Sequence, residues 1–194
     1  MGQVHPRRCS QRFRQSIGGL TQLKPLVFNS TPLIYLSKAG LIKIIENLKA
    51  EKLTSPLVKQ EVVDKGKLKG VPDAIALEKL FDRGVFKLCE PKDKAFLSQL
   101  SMTRGLHVAD AQVLALAKEF DALAVIDDEI ARKTANVYRI NYRGTPHNLA
   151  RAVLEEIISK EQAKLAVNDM VSAGWRCSIE SYAKIMELLD KIEF

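Results

Sequence analysis

Asp127 and Asp128 stand side by side directly after the apolar run Ala122-Leu123-Ala124-Val125-Ile126, and a stretch carrying Arg132 follows them. Adjacent carboxylates repel. At ~4 Å and an effective dielectric of ~20, each like-charge pair costs about 4 kcal/mol, and a divalent cation seated among them removes that cost. The plainer role, a helix N-cap, needs one Asp and not two. More oxygen-bearing side chains fall where strand ends and helix starts are expected: Asn29, Ser30, Thr31, Glu61, Asp110 and Thr145. The set contains no Cys or His, and an oxygen-only set suits Mg²⁺ or Mn²⁺ rather than zinc. Such ions among carboxylates activate water and stabilise both oxygens of a phosphoryl displacement. Glu61 and Asp110 have a second explanation, because the first turns of helices attract acids in any case.

These side chains need a frame. The run 122–126 has the length and the turn-like flanks of a strand covered on both faces, and a strand of an open α/β sheet delivers the next residues to its carboxyl edge, where ligands bind. LVF (26–28) reads as a first strand ending at Asn29, with Pro32 at a helix start and Gly40 closing that helix. LIKIIENLK (41–49) is a second amphipathic helix, 54–58 an extended stretch, and 59–66 a helix with Glu61 in its first turns. Pro72 opens a helix over 73–84, VFKLC (85–89) is a strand, and 92–101 is a short helix. Val108, Ala111, Leu114, Ala115 and Ala117 repeat at helical spacing within 107–120, which puts Asp110 in a first turn. NVYRINY (136–142) reads as the last strand, and Gly144-Thr145-Pro146 as a turn and capped helix start. Helices over 148–158, 161–174 and 179–191 complete the chain, with Gly174 and Ser178 as caps. Strands alternating with helices imply a parallel sheet covered on both faces.

The chain has 194 residues, enough for one domain with a sizeable core. The net charge of +7 is mostly local: Arg7, Arg8, Arg12, Arg14 and Lys24 fall in an acid-free segment, and without those five the 30 basic residues become 25 against 23 acids. Residues 1–24 read as a flexible basic extension, open to three explanations: an arm on nucleic-acid phosphates, an organelle transit peptide, or an over-long gene start. Residues 25–194 form the folded unit. Cys9, Cys89 and Cys177 have neither metal-ligand spacing nor a disulfide framework, which fits a reducing, cytoplasmic setting, and no apolar run reaches membrane-spanning length. His107 and His147 read as structural, and Trp175 as packing back on the helix before it. For Arg132 a salt bridge to Asp127 or Asp128 is favoured over a phosphate contact.

LVFNSTPLIYLSKAGL, LVKQEV, ADAQVLALAKE, AVIDDEIARK and the GT of RGTPHNL, in this order and spacing, resemble the PIN-domain nucleases, most closely the small prokaryotic branch of VapC-type toxins. The likeness runs from about Leu26 to Leu189. It implies a Rossmann-like α/β/α sandwich with a central parallel sheet, and metal-dependent RNA hydrolysis by acids matching Glu61, Asp110 and Asp128, with Asp127 alongside. Thr31 and Thr145 match positions that hold water or substrate near the metal. A small antitoxin partner is implied, and the last two helices could supply a homodimer interface. The family's first acid is usually Asp and here is Asn29, whose amide oxygen can ligate Mg²⁺ or orient water but adds no charge. The second reading is therefore a PIN fold without activity that binds RNA or a protein partner. A phosphate-accepting receiver domain would need its acid pair after the first strand, where this chain has none.

Overall fold

The computed structural model describes residues 23–193, so the basic extension, apart from Leu23 and Lys24, lies outside the described residues. Five short strands form one sheet in the order β3-β2-β1-β4-β5, every neighbouring pair parallel. The strands are β1 (Leu26–Phe28), β2 (Lys52–Thr54), β3 (Lys87–Leu88), β4 (Leu123–Val125) and β5 (Tyr142–Arg143). β1 lies at the centre, with Val27 registered against Leu53 on one side and Ala124 on the other. Its three side chains are at most 1% exposed, as expected of a strand covered on both faces.

Parallel strands need crossovers, and here helices supply them. After β1 come α1 (Ser30–Lys38) and α2 (Ile42–Asn47). After β2, α3 starts as Pro56–Lys59, passes through a π-helical turn at Gln60–Asp64 and ends as Lys65–Leu68. α4 (Pro72–Asp82) leads to β3, and α5 (Lys94–Ser101) and α6 (Val108–Glu119) lead to β4. α7 (Glu129–Val137) joins β4 to β5, and α8 (Thr145–Leu154), α9 (Lys160–Ser172) and α10 (Ile179–Asp190) follow. α6 packs on β1 and β4, while α9 reaches back to α1 and also packs on α8 and α10. The result is the expected α/β fold, a parallel sheet flanked by helices.

Four boundaries depart from the sequence reading, one being the helix expected over 148–158, which runs Thr145–Leu154 and stops where Glu156 turns out at φ 58°. The strand expected over 136–142 is broken up: α7 takes Asn136 and Val137, Tyr138 caps it, and Arg139 turns out at φ 55°, leaving only Tyr142–Arg143 paired to β4. The apparent alternation misled because Val137 faces solvent, 76% exposed, while Ala131, Thr134 and Ala135 hold the buried stripe of the helix. The extended stretch expected at 54–58 lies at 52–54, because Ser55 caps α3 through Val58 N and Pro56 takes its first position. The strand read over 85–89 shrinks to two residues. Cys89 and Cys177 are free thiols, and no helix among the described residues is long and apolar enough to cross a membrane.

Candidate functional site

The carboxyl ends of β1, β4 and β5 release Asn29, Asp127–Asp128 and Gly144–Thr145 onto one edge. Two helices add acids to it. α6 begins beside this edge with Asp110 in its first turn. Within α3, Glu61 lies in the π turn, a rare local widening of the helix that recurs at functional positions.

Asn29 links two of these elements. Its backbone N–H donates to Val125 O of β4, its Oδ1 accepts from Ser30 N (2.8 Å), and its Nδ2 donates to Asp110 Oδ1. Asn29 and Asp110 are each only 4% exposed. Burial raises the Asp110 pKa above the ordinary carboxylate value, the Asn29 hydrogen bond opposes that shift, and the nearby Asp128 charge adds to it. Asp110 is therefore a buried carboxylate facing a second carboxylate, with a neutral amide as its side-chain donor.

Asp128 caps α7, its Oδ1 accepting from Ala131 N at 2.8 Å. The capping role and the position beside Asp110 coexist, because a carboxylate has a second oxygen. Glu61 accepts from Ser30 Oγ at 2.5 Å through Oε2, while Oε1 lies 4.0 Å from Lys65 Nζ on the solvent side. Ser30 thus continues the chain of polar contacts from Asn29 to Glu61. Thr31 is half-buried in the first turn of α1.

Asp127 has different surroundings from its neighbour. Its Oδ1 accepts from Thr145 N (2.9 Å) and Arg132 Nη2 (3.1 Å), and its Oδ2 from Thr145 Oγ1 (2.6 Å) and Trp175 Nε1 (3.2 Å). Its side chain is 7% exposed. Arg132, read as a salt-bridge partner, is one, and its Nε also donates to Ile126 O at 3.2 Å. Trp175 does pack back on its own helix, Trp175 N donating to Met170 O, but its indole N–H reaches the sheet edge. Trp175 is the site residue that the sequence reading left without a role there, and Ser30, counted in the oxygen-bearing set, serves as the hydroxyl donor to Glu61. Nothing local in the sequence pointed to Trp175.

Among the described residues no group of three or more His, Cys, Asp and Glu side chains forms a ready cation cage. Mg²⁺ does not require one, since it is commonly held by one or two carboxylates with water and substrate phosphate completing the shell. Asp110 and Asp128 fit that arrangement: two mutually repelling carboxylates, one of them desolvated and short of positive charge. Asn29 turns its N–H rather than its oxygen toward Asp110, and the oxygens of Asp127 are already occupied by donors. His107, at the N-cap of α6, touches Asp110 through a backbone hydrogen bond, while His147 lies outside the acid set. Burial lowers the His147 pKa to about 4, with Arg143 and Arg151 pushing the same way.

Compared with known families, residues 25–191 match a family model described as a PIN domain. No curated protein matches the chain.

Proposed function

The chain belongs to the PIN-domain family, a nuclease superfamily, and from that premise we propose that it hydrolyses RNA phosphodiester bonds with the help of Mg²⁺ or Mn²⁺. The observation that carries this reading is the meeting at the carboxyl edge of Asp110, buried and hydrogen-bonded by Asn29, and Asp128 just past the end of β4, whose charge raises the Asp110 pKa. The ion, when bound, would supply Lewis-acid stabilisation of the phosphoryl oxygens and a more acidic water. Asp110 and Asp128 would hold it. Glu61, which accepts from Ser30 Oγ, would take a proton from the attacking water. Thr31 and Thr145 lie at helix starts beside the edge, and Arg132 can offer a guanidinium N–H to a phosphate oxygen.

Asp128→Asn tests the reading. It should lower metal-dependent cleavage of a single-stranded RNA by roughly a hundredfold or more while the protein stays folded, because Asn can still cap α7. Cleavage at the wild-type rate would remove Asp128 from the mechanism.

A second reading draws on Asn29. A neutral amide that donates to Asp110 satisfies that carboxylate in part without any cation, as expected of a PIN fold that binds RNA or a protein partner and does not cleave. Absence of cleavage with Mg²⁺ or Mn²⁺, together with RNA binding in chelator, would favour it. The toxin-like branch adds a small antitoxin partner, a homodimer through α9 and α10, and a cytoplasmic setting to the first reading. Co-expression with a neighbouring small open reading frame that relieves growth arrest would support that branch.

A further inference from the structure

Four donors converge on Asp127 from three separate parts of the chain: Thr145 through N and Oγ1, Arg132 through Nη2, and Trp175 through Nε1. Both oxygens are shared, each between two donors, so neither is left for a cation without breaking a bond already made. A Cβ on Gly144 would sit 2.6 Å from Arg132 Nη2 and 2.8 Å from Asp127 Oδ1, so any larger residue there would push these two side-chain ends apart. Arg132 is held by two of its nitrogens, Nε on Ile126 O and Nη2 on Asp127, with the side chain 37% exposed. Its Nη1 has no hydrogen bond among the described residues and is left at the edge where the acids gather.

We propose that Asp127 is a positioning residue and not a cation ligand: it aims the Arg132 guanidinium at an RNA phosphate and, through Trp175, couples that grip to the C-terminal helices α9 and α10. The inference rests on the proposed action on RNA, which it deepens by assigning the phosphate contact to Arg132. The adjacent acids thereby divide the work, with Asp128 facing the ion and Asp127 facing the protein. Trp175 lies between α9 and α10 and is 7% exposed. Any partner that shifts those helices would thus tug on the residue that steadies Arg132.

The test uses the full chain and two readouts that need no catalysis. The first is the melting shift produced by Mn²⁺. Asp128→Asn should lose most of it, whereas Asp127→Asn should melt lower than wild type yet keep the shift. Equal loss in both variants would make Asp127 a ligand and overturn the assignment. The second is binding of a short fluorescein-labelled RNA in EDTA, followed by anisotropy and by the emission of Trp175, the one tryptophan in the chain. Arg132→Gln should weaken binding about tenfold, the effect of one lost charge-assisted contact. Trp175 emission should change along the wild-type binding curve. Trp175→Phe, which removes one of the four donors and keeps the packing, should weaken RNA binding about threefold with its Mn²⁺ shift intact, and it carries the test if Asp127→Asn fails to fold. A silent Trp175 on RNA binding, or unchanged affinity in Arg132→Gln and Trp175→Phe, would overturn the coupling. If wild type shows no Mn²⁺ shift, the metal-dependent reading fails by itself while the RNA measurements still judge the positioning role.

Discussion

The two edges of the sheet treat buried charge in opposite ways. At the amino edge, where the chain turns from α2 into β2, Arg151 Nε donates to Glu155 Oε1 at 2.6 Å with side chains only 7% and 9% exposed. Arg151 Nη2 donates to Lys49 O, Lys49 N donates to Glu155 Oε2, and the Lys52 ammonium reaches Leu48 O and Ala50 O. The hydrogen-bonding groups are matched there and Arg151 has its carboxylate, while burial and the Arg151 charge lower the Lys52 pKa against the pull of Glu155. At the carboxyl edge Asp110 is buried against Asp128 with only the Asn29 amide and weaker help from His107 to offset it. A buried ion pair with its own partners is a structural staple. A buried carboxylate that lacks countercharge is a place where a ligand supplies what the fold withholds.

Breaking the amino-edge pair should have the largest effect on stability. Glu155→Ala leaves the Arg151 guanidinium buried and uncompensated, which is expected to cost about 3–5 kcal/mol in urea unfolding. The double replacement Arg151→Met with Glu155→Leu should recover most of that loss. A single variant within about 1 kcal/mol of wild type would mean that the two edges are not so different.

The comparison sharpens with acid. The His147 pKa falls to about 4 in the fold, so below about pH 6.5 the unfolded chain takes up a proton that the folded chain refuses. Stability from this group is therefore lost as the pH drops toward 4, by at most ~3 kcal/mol. His147→Gln should flatten that part of a melting-temperature profile, and a profile unchanged by the substitution would refute the assignment.

Asp110 carries the opposite sign. Its folded pKa is raised, so the folded state holds the proton longer and apo stability declines as pH rises through and above the ordinary carboxylate range. Asp110→Asn should abolish metal-dependent cleavage yet melt as high as wild type or higher without metal, with its advantage growing from acid to neutral pH. An apo variant that melts well below wild type at neutral pH would show that Asp110 is already satisfied within the fold.

The smallest expected effect belongs to Asn29→Asp. The residues are nearly isosteric, so packing changes little, while the Asn29 N–H that now serves Asp110 is replaced by a third negative charge. Apo melting should fall modestly, and the stabilisation by Mn²⁺ at a fixed concentration should exceed that of wild type. Cleavage should rise with it. Equal metal shifts would place residue 29 outside the cation's reach, and a slower variant would mean that the amide is an adapted part of the site.

Much of this organisation was legible in one dimension. The apolar runs at 26–28 and 122–126 and the helical spacing of 107–120 specified buried strands with helical crossovers, because a segment covered on both faces has to be apolar throughout. From that alone Asn29, Asp110, Asp127 and Asp128 fall on one edge. The run 136–142 was misread because seven residues can satisfy a strand period by chance, and only burial showed which side chains face inward. What tertiary structure alone determined was the allotment of partners. Asp127 and Asp128 are adjacent and chemically identical, yet one receives an indole N–H from a residue 48 positions away and the other faces a carboxylate from α6. Periodicity records which face of an element is buried. It does not record which distant donor arrives at that face, and for a buried carboxylate the donors determine whether it braces the fold or waits for a ligand.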